Sequence, residues 1–450
     1  MITNLKLTNF RAFQDEVSVR VRPITVLIGR NSAGKSSLLK FLMMLRQTLE
    51  SQGDSFFATD GEHVKLGTWS DLRNTQTRSG TQREAYCRFN VTIETDDLPS
   101  PEIRGLWKAL SRGSVVSTDT RLLRISVEVP RQPIRTETKK AEFNVSGDVH
   151  YGSKFRYGRH SVDGRIGKEV IFKKRAGNLA NVGFLRFAER ADSVNKVLEG
   201  VVAEPFLDGL RQEFLTPRHL SPIREESQQA VQTGSPPPRD VGHRGEYAMP
   251  HLAKILTDVE EKTRARFIVK HASAVARLDK VTFSRRVSDL VTHINARNME
   301  TQAVCSLADF GFGVSQCLPI FIQGAMNYPG QLLIVEQPEA QLHPTAQLDM
   351  GDFFAELWND RKVPSLIETH SSNIILRLRK LVSKGQLDAE DVSIAFFTLE
   401  KRAGKRGGAH TAVVVRNIDI NPDGSLQKGL PMEFFGADIE EALDFGQEAE

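Results

Sequence analysis

Cysteine is scarce: Cys87, Cys305 and Cys317 are the only thiols in 450 residues. Their spacing forms neither a metal-ligand pattern nor a disulfide framework, so a reducing cytoplasm is the expected compartment. No apolar run approaches the ~18 residues that a membrane-spanning helix needs, and Met1-Ile2-Thr3-Asn4-Leu5-Lys6 lacks the shape of a secretory leader. No membrane partner is expected. An excess of one charge is also missing: 60 Lys and Arg against 56 Asp and Glu leave a net +4. Composition therefore gives no argument for nucleic acid, and only the distribution of charge can matter. What remains, 40% hydrophobic and 26% charged residues, is ordinary for a globular chain with room for two or three domains.

The stretch that organises the chain is Gly29-Arg30-Asn31-Ser32-Ala33-Gly34-Lys35-Ser36-Ser37. It follows the β-branched run Ile24 to Ile28, a predicted strand, and precedes Ser37 to Leu42, a predicted helix. That order is the context a P-loop requires. Gly29 and Gly34 permit the bends that aim successive N–H groups inward, and with the helix N-terminus they form a cradle for phosphate oxygens. Lys35 brings positive charge to the β- and γ-phosphates, and Ser36 offers a hydroxyl to Mg²⁺. Gly29, Asn31, Gly34, Lys35, Ser36 and Ser37 are the candidate nucleotide-binding residues, with ATP and Mg²⁺ the expected cofactors.

Upstream, Ile2 to Thr8 and Val17 to Val21 alternate as half-buried strands do, joined by Asn9-Phe10-Arg11-Ala12-Phe13. A first strand, Asn-Phe-Arg, a second strand and then a P-loop near residue 29 resembles the N-terminal lobe of the ABC-type ATPases of the RecF, SMC and OLD group. Gly67-Thr68-Trp69-Ser70-Asp71-Leu72 is similar to a segment that OLD-like ATPases carry near the nucleotide; a turn with a packing tryptophan explains it equally. Residues 86–95 and 121–130 alternate strongly and extend an antiparallel sheet, with Pro99 to Pro101 and a short helix carrying Trp107 as an inserted connection.

From 131 to 177 the chain turns basic. Lys154, Arg156, Arg159, Arg165, Lys168, Lys173, Lys174 and Arg175 are interleaved with Tyr151, Phe155, Tyr157 and Phe172. Such a β-ribbon is either a DNA surface, with cations on phosphates and rings on bases, or a solvated face. Residues 179–300 read as mostly helical by period, as in His251, Leu252, Ile255 and Leu256, interrupted by Leu215 to Arg224 and by the proline-rich Gly234 to Arg239. No sustained heptad repeat runs through this insertion, which excludes long coiled-coil arms. Arg224 and Arg244 lie in a region similar to one in OLD-like ATPases, where the resemblance would let them reach phosphate or a dimer partner; without it both are ordinary surface arginines.

The second half supplies further motifs in order. Asp309 to Ile320 is a glycine-rich turn opening an apolar helix and resembles a degenerate ABC signature, with Gly313, Ser315 and Gln316 at the corresponding positions. The resemblance implies that these meet the γ-phosphate held by a second subunit, so that ATP is sandwiched in a homodimer or a higher oligomer. Gln331 to Val335, a buried-strand run, leads into Glu336-Gln337-Pro338-Glu339, which resembles a Walker B motif. Glu336 can serve Mg²⁺ through its water shell. Gln337 stands where the usual catalytic glutamate would and can orient water without accepting its proton. Either Glu339 is then the candidate base or there is no strong base, and slow turnover is expected. Ser365 to Ser371 resembles the histidine switch, with His370 placed to sense the γ-phosphate.

Together these motifs imply an α/β P-loop NTPase fold: an ABC-type two-lobe ATPase head with an inserted β-ribbon and helical module. The expected parts are 1–130 (P-loop part of the head), 131–300 (basic ribbon and helical module), 301–436 (signature, Walker B and switch) and an acidic tail, 437–450. The resemblance to stand-alone OLD-like ATPases, without a Toprim nuclease, implies a regulator or scaffold for a separate effector protein in bacterial phage defence. The alternative is a RecF-like DNA-repair ATPase gripping DNA through residues 154–175.

Overall fold

The computed structural model describes residues 2–50, 58–68, 71–72, 74, strand segments between 87 and 188, 217–227, 230–232, 236–276, 278–285, 291–310, 312–403 and 409–427. The connection carrying Trp107, Trp69 itself and the acidic tail 437–450 lie outside the described residues. The chain divides into two compact units: residues 1–21, 31–217 and 397–416 form one, and 22–30, 218–396 and 417–450 the other.

The first unit is built on an eight-stranded sheet. Its strands are β1 (Ile2–Thr8) and β2 (Val17–Arg20) at one edge, then β4 (Cys87–Thr95), β5 (Arg121–Val129), β6 (Glu142–Asp148), β7 (Ser153–Gly158), β8 (Ser161–Ile166) and β9 (Glu169–Arg175). The order is β2-β1-β4-β5-β6-β7-β8-β9, antiparallel throughout. Alternation produces this sheet: Leu5 and Leu7 are fully buried while Asn4 and Lys6 are half-exposed. The basic stretch runs along β7 to β9, which continue this sheet, and the side chains of 154–175 lie outside the described residues. Helix α1 (Lys35–Glu50) buries Leu38, Leu39, Phe41, Leu42 and Leu45. A hairpin of β10 (Ala180–Gly183) and β11 (Arg186–Ala188) follows.

The second unit holds the parallel strands. β3 (Ile24–Gly29), β12 (Arg218–Leu220), β17 (Leu333–Glu336) and β18 (Ser365–Glu368) run in the order β12-β17-β18-β3, each pair parallel. β19 (Val392–Ala403) and β20 (Ala409–Asp419) complete the order of six. Every residue of β3 and β18 is buried, as in a parallel sheet covered on both faces. Helices α2 (Ala248–Thr257), α3 (Lys262–Ala276), α4 (Phe312–Met326), α5 (Pro344–Arg361) and α6 (Ser372–Ser383) belong to the same unit. α4 is the most apolar of them, with Cys317, Leu318, Ile320, Phe321 and Ile322 at 0–1% exposure.

The described residues of 179–300 are not mostly helical, and the helical period at Val194 to Val201 lies outside them. Among the described residues, α2 and α3 account for the helix, while β13 (Ala230–Gln232), β14 (Leu278–Arg285), β15 (Val291–Asn298) and, just beyond, β16 (Val304–Ser306) form a separate sheet. The reason is a period of two in β15: Ile294 and Ala296 are buried while His293, Asn295 and Arg297 are not.

Candidate nucleotide site

The P-loop lies where a strand hands over to a helix. Gly29 ends β3 in the second unit, and Asn31 to Ser37 belong to the first. Asn31 and Ser36 are exposed, Ser37 is half-buried, and Lys35 is 4% exposed at the start of α1. The first helical bonds run from the N–H groups of Ser37 and Leu38 to the Gly34 carbonyl, at 3.0 and 3.2 Å. Earlier N–H groups of such a helix have no intrahelical acceptor and face an anion. Gly34 has φ +97°, and a Cβ there would stand 2.7 Å from Phe13 Cε1. The Asn9 to Phe13 turn thus has a physical role: Phe10 and Phe13 exchange backbone bonds at 2.9 and 2.8 Å, and both rings are fully buried, Phe10 edge-on to Phe41 of α1. This floor fits a backbone cradle for phosphate and leaves no room for a side chain at Gly34.

In the second unit, the parallel register aligns Glu336 of β17 with Glu368 of β18 and Leu27 of β3. The ends of these strands therefore lie along one edge, the edge where open α/β sheets bind ligands. Glu336 closes β17 with its Oε1 2.6 Å from His219 Nε2 of the neighbouring β12. Its carboxylate is a hard oxygen donor of the kind that Mg²⁺ takes. Gln337 follows with φ +45° and donates its N–H to the Glu368 carbonyl at 2.7 Å. That bond ties the turn after β17 to the neighbouring strand.

Glu339 is bound to the switch segment. Its Oε1 accepts from the His370 backbone N–H at 2.7 Å and its Oε2 from the Thr369 hydroxyl at 2.8 Å. Bonds to a carboxylate contribute about 1.5–3 kcal/mol each, so this geometry is well defined. Thr369 Oγ1 also accepts from the Ser371 N–H at 2.9 Å, and Ser371 caps α6 by accepting from the Ile374 N–H. His370, two residues beyond the end of the buried strand, is exposed.

The signature residues sit in the first turns of α4. Gly313 is half-exposed, whereas Ser315 and Gln316 are 3% and 2% exposed. Ser315 Oγ accepts from the Ser227 N–H at 3.1 Å. Gln316 Oε1 accepts from the Arg224 N–H at 3.1 Å, while its Nε2 donates to the Arg224 carbonyl at 3.0 Å. Arg224 is no surface arginine. It is 1% exposed, and its guanidinium donates to the carbonyls of Gln316 at 3.1 Å and Glu336 at 2.5 Å. Burial lowers its pKa to about 10, opposed by the nearby Glu339 and Glu336 carboxylates, so it stays a cation at neutral pH. Burial likewise pushes the Cys317 thiol up to about 12, which makes it inert. Arg244 is the exposed one, 3.9 Å from Glu225. Gly245, at φ +79°, lets this loop meet the helix, since a Cβ there would stand 2.6 Å from Pro319 of α4.

His219 and Thr369 are not among the candidate site residues that the motifs supply: the first falls in a stretch that reads as a break between helices, and the second is hidden by the histidine beside it. Arg224 enters the sequence reading only through the resemblance, as a residue that would reach phosphate or a dimer partner, and its guanidinium is instead bonded to the carbonyls of Gln316 and Glu336.

A family model described as "AAA ATPase domain" matches residues 1–93 and 250–375. No curated protein matches the chain significantly. Among solved structures the chain is similar to an SMC head bound to the C-terminal winged-helix domain of ScpA (12% identity, TM-score 0.46, 93% of this chain and 98% of that one). It is also similar to the SMC head domain from Thermotoga maritima (9% identity, TM-score 0.41, 93% and 99%). A third is an SMC head with an extended coiled coil, bound to the C-terminal domain of ScpA derived from Pyrococcus furiosus (12% identity, TM-score 0.43, 98% and 99%). Strand order, P-loop and family match together give the fold class: an α/β P-loop NTPase of the ABC-head type. Among the described residues no helix is long and apolar enough to cross a membrane.

Proposed function

From the premise that the chain is an ATPase of ABC or AAA type, we propose that it binds ATP with Mg²⁺, hydrolyses it slowly and closes as a nucleotide-gated homodimer. The observation that carries this reading is the parallel order β17-β18-β3, which sets Glu336 and the switch segment beside the strand that runs into the P-loop. Lys35 meets the β- and γ-phosphates, and Ser36 and Glu336 serve the metal. Gln337 orients the attacking water but takes no proton from it, which makes turnover slow; Glu339 is the base. Ser315 and Gln316, near the N-terminus of α4, face the γ-phosphate of the second copy.

The dimer regulates a separate effector protein, in keeping with the resemblance to stand-alone OLD-like ATPases of phage-defence modules. A RecF-like alternative draws support from the basic sequence carried on β7 to β9. It requires ATP-dependent, salt-sensitive DNA binding that weakens when Lys173, Lys174 and Arg175 are neutralised.

The test is Gln337→Glu, assayed by phosphate release in Mg²⁺. A carboxylate at the usual position is expected to raise turnover by about tenfold or more. Unchanged or lower turnover, with ATP binding intact, would remove Gln337 as the cause of slow hydrolysis.

A further inference from the structure

Residues 218–227 put three side chains or backbone groups onto two motifs that the sequence separates widely. His219 touches the Glu336 carboxylate, Arg224 touches the Glu336 carbonyl and Gln316, and the Ser227 N–H touches Ser315. Ile223 is 69% exposed and Glu226 is also exposed, so between them this strap turns one long side chain inward. We infer that Arg224 is a positioning residue that couples the signature helix to the turn after Walker B within one head, so that the two shift together. The inference rests on the ATPase reading above and names how that site is regulated.

Stability alone does not explain this arginine. A buried guanidinium pays a desolvation cost that an apolar side chain of similar volume avoids, and a buried charge is weak evidence of stabilisation. Arg224 supplies a planar fork that reaches two carbonyls in fixed directions: Gln316 on α4 and Glu336 at the end of β17. Its guanidinium also lies 3.4–3.5 Å from the Gln337 carbonyl. A lysine, with one point charge, does not hold that geometry. The Gln316 amide returns the contact by pairing with both the N–H and the carbonyl of Arg224. The Ser315 and Gln316 side chains are therefore already engaged by the strap. A γ-phosphate that draws Ser315 toward itself must loosen the Ser227 bond and move the strap, and with it the carbonyl anchors beside Gln337.

The experiment compares the full-length wild type with Arg224→Lys, Gln316→Leu and the double variant, by hydrogen exchange with and without ATP and by turnover. In Arg224→Lys, ATP is expected to protect residues 29–40 as in wild type, with affinity within about threefold, while kcat falls about tenfold or more and ATP protection of 312–320 is lost. Gln316→Leu alone should show the same pattern, and the double variant should be little worse than either single one. Without nucleotide, Arg224→Lys should speed exchange at 312–320 and 336–342 together. Wild-type exchange at both segments, or losses that multiply in the double variant, would overturn the coupling. Absence of ATP protection at 29–40 in the wild type would instead overturn the ATPase reading, and the nucleotide-free comparison would still decide the coupling.

Discussion

Glu339 Oε1 accepts the His370 backbone N–H at 2.7 Å, so the candidate base and the candidate switch are joined before any nucleotide contact is considered. With the Thr369 hydroxyl on the other oxygen, the carboxylate reads the position of the segment that follows β18.

Glu339→Gln replaces one of those acceptor oxygens with an NH₂ donor facing a donor. One bond is lost and the switch is displaced, so turnover should fall about tenfold or more with ATP binding retained. Thr369→Val, which removes one of the two bonds and leaves the carboxylate ionised, should lower turnover less. Equal losses in both variants would show that the clamp on the switch matters and that the charge of Glu339 does not.

Gly34→Ala meets two obstacles, a φ of +97° and a Cβ 2.7 Å from Phe13. Strain of this kind costs on the order of 1–3 kcal/mol, and displacement of the loop should abolish ATP binding by calorimetry. Phe13→Leu in the same chain relieves the contact but not the dihedral, so it should restore part of the lost melting temperature. No change in binding on Gly34→Ala would contradict the cradle.

His271 of α3 lies among Phe267, Phe321 and Phe353, with ring centroids 4.6, 6.0 and 5.1 Å away. Burial pushes its pKa down to about 4 from 6.5, with Lys270 acting in the same direction and Asp352 and Asp360 against it. Glu356 Oε2 stands 3.2 Å from Nε2 without an aligned hydrogen bond. The folded chain keeps the ring neutral while the unfolded chain protonates it near 6.5. Its contribution is therefore complete above that pH and is lost as the pH falls toward about 4, up to about 3 kcal/mol. His271→Phe should flatten the acid side of the stability profile over that window. An unchanged slope would mean that other groups set it.

The sequence made the local parts of the site legible because each is a short run with its own chemistry. Ile24 to Gly29 followed by Lys35 at the start of α1 has the strand, loop and helix pattern that a P-loop needs, and Leu333 to Glu336 is a buried strand ending in an acid. What stayed hidden depends on pairing across long separations. Nothing near Arg224 announces that it will be buried against Gln316 and Glu336, about a hundred residues away. Likewise His219 acquires a role only because β12 happens to pair with β17. The span of β14 and β15 reads as helix when the 3.6-residue period of α2 and α3 is carried on past Ala276, whereas β15 takes a period of two.

The proposed nucleotide-gated dimer with composite ATP sites assembles only when ATP is bound. The measurement that tests it most directly is light scattering with and without ATP and Mg²⁺, on the wild type beside Lys35→Ala and Ser315→Arg, with ATP binding measured in parallel. ATP is expected to drive self-association of the wild type, while Lys35→Ala neither binds nor associates and Ser315→Arg binds ATP but stays dissociated. A wild type that binds ATP and remains monomeric, or a Ser315→Arg variant that associates as the wild type does, would contradict it.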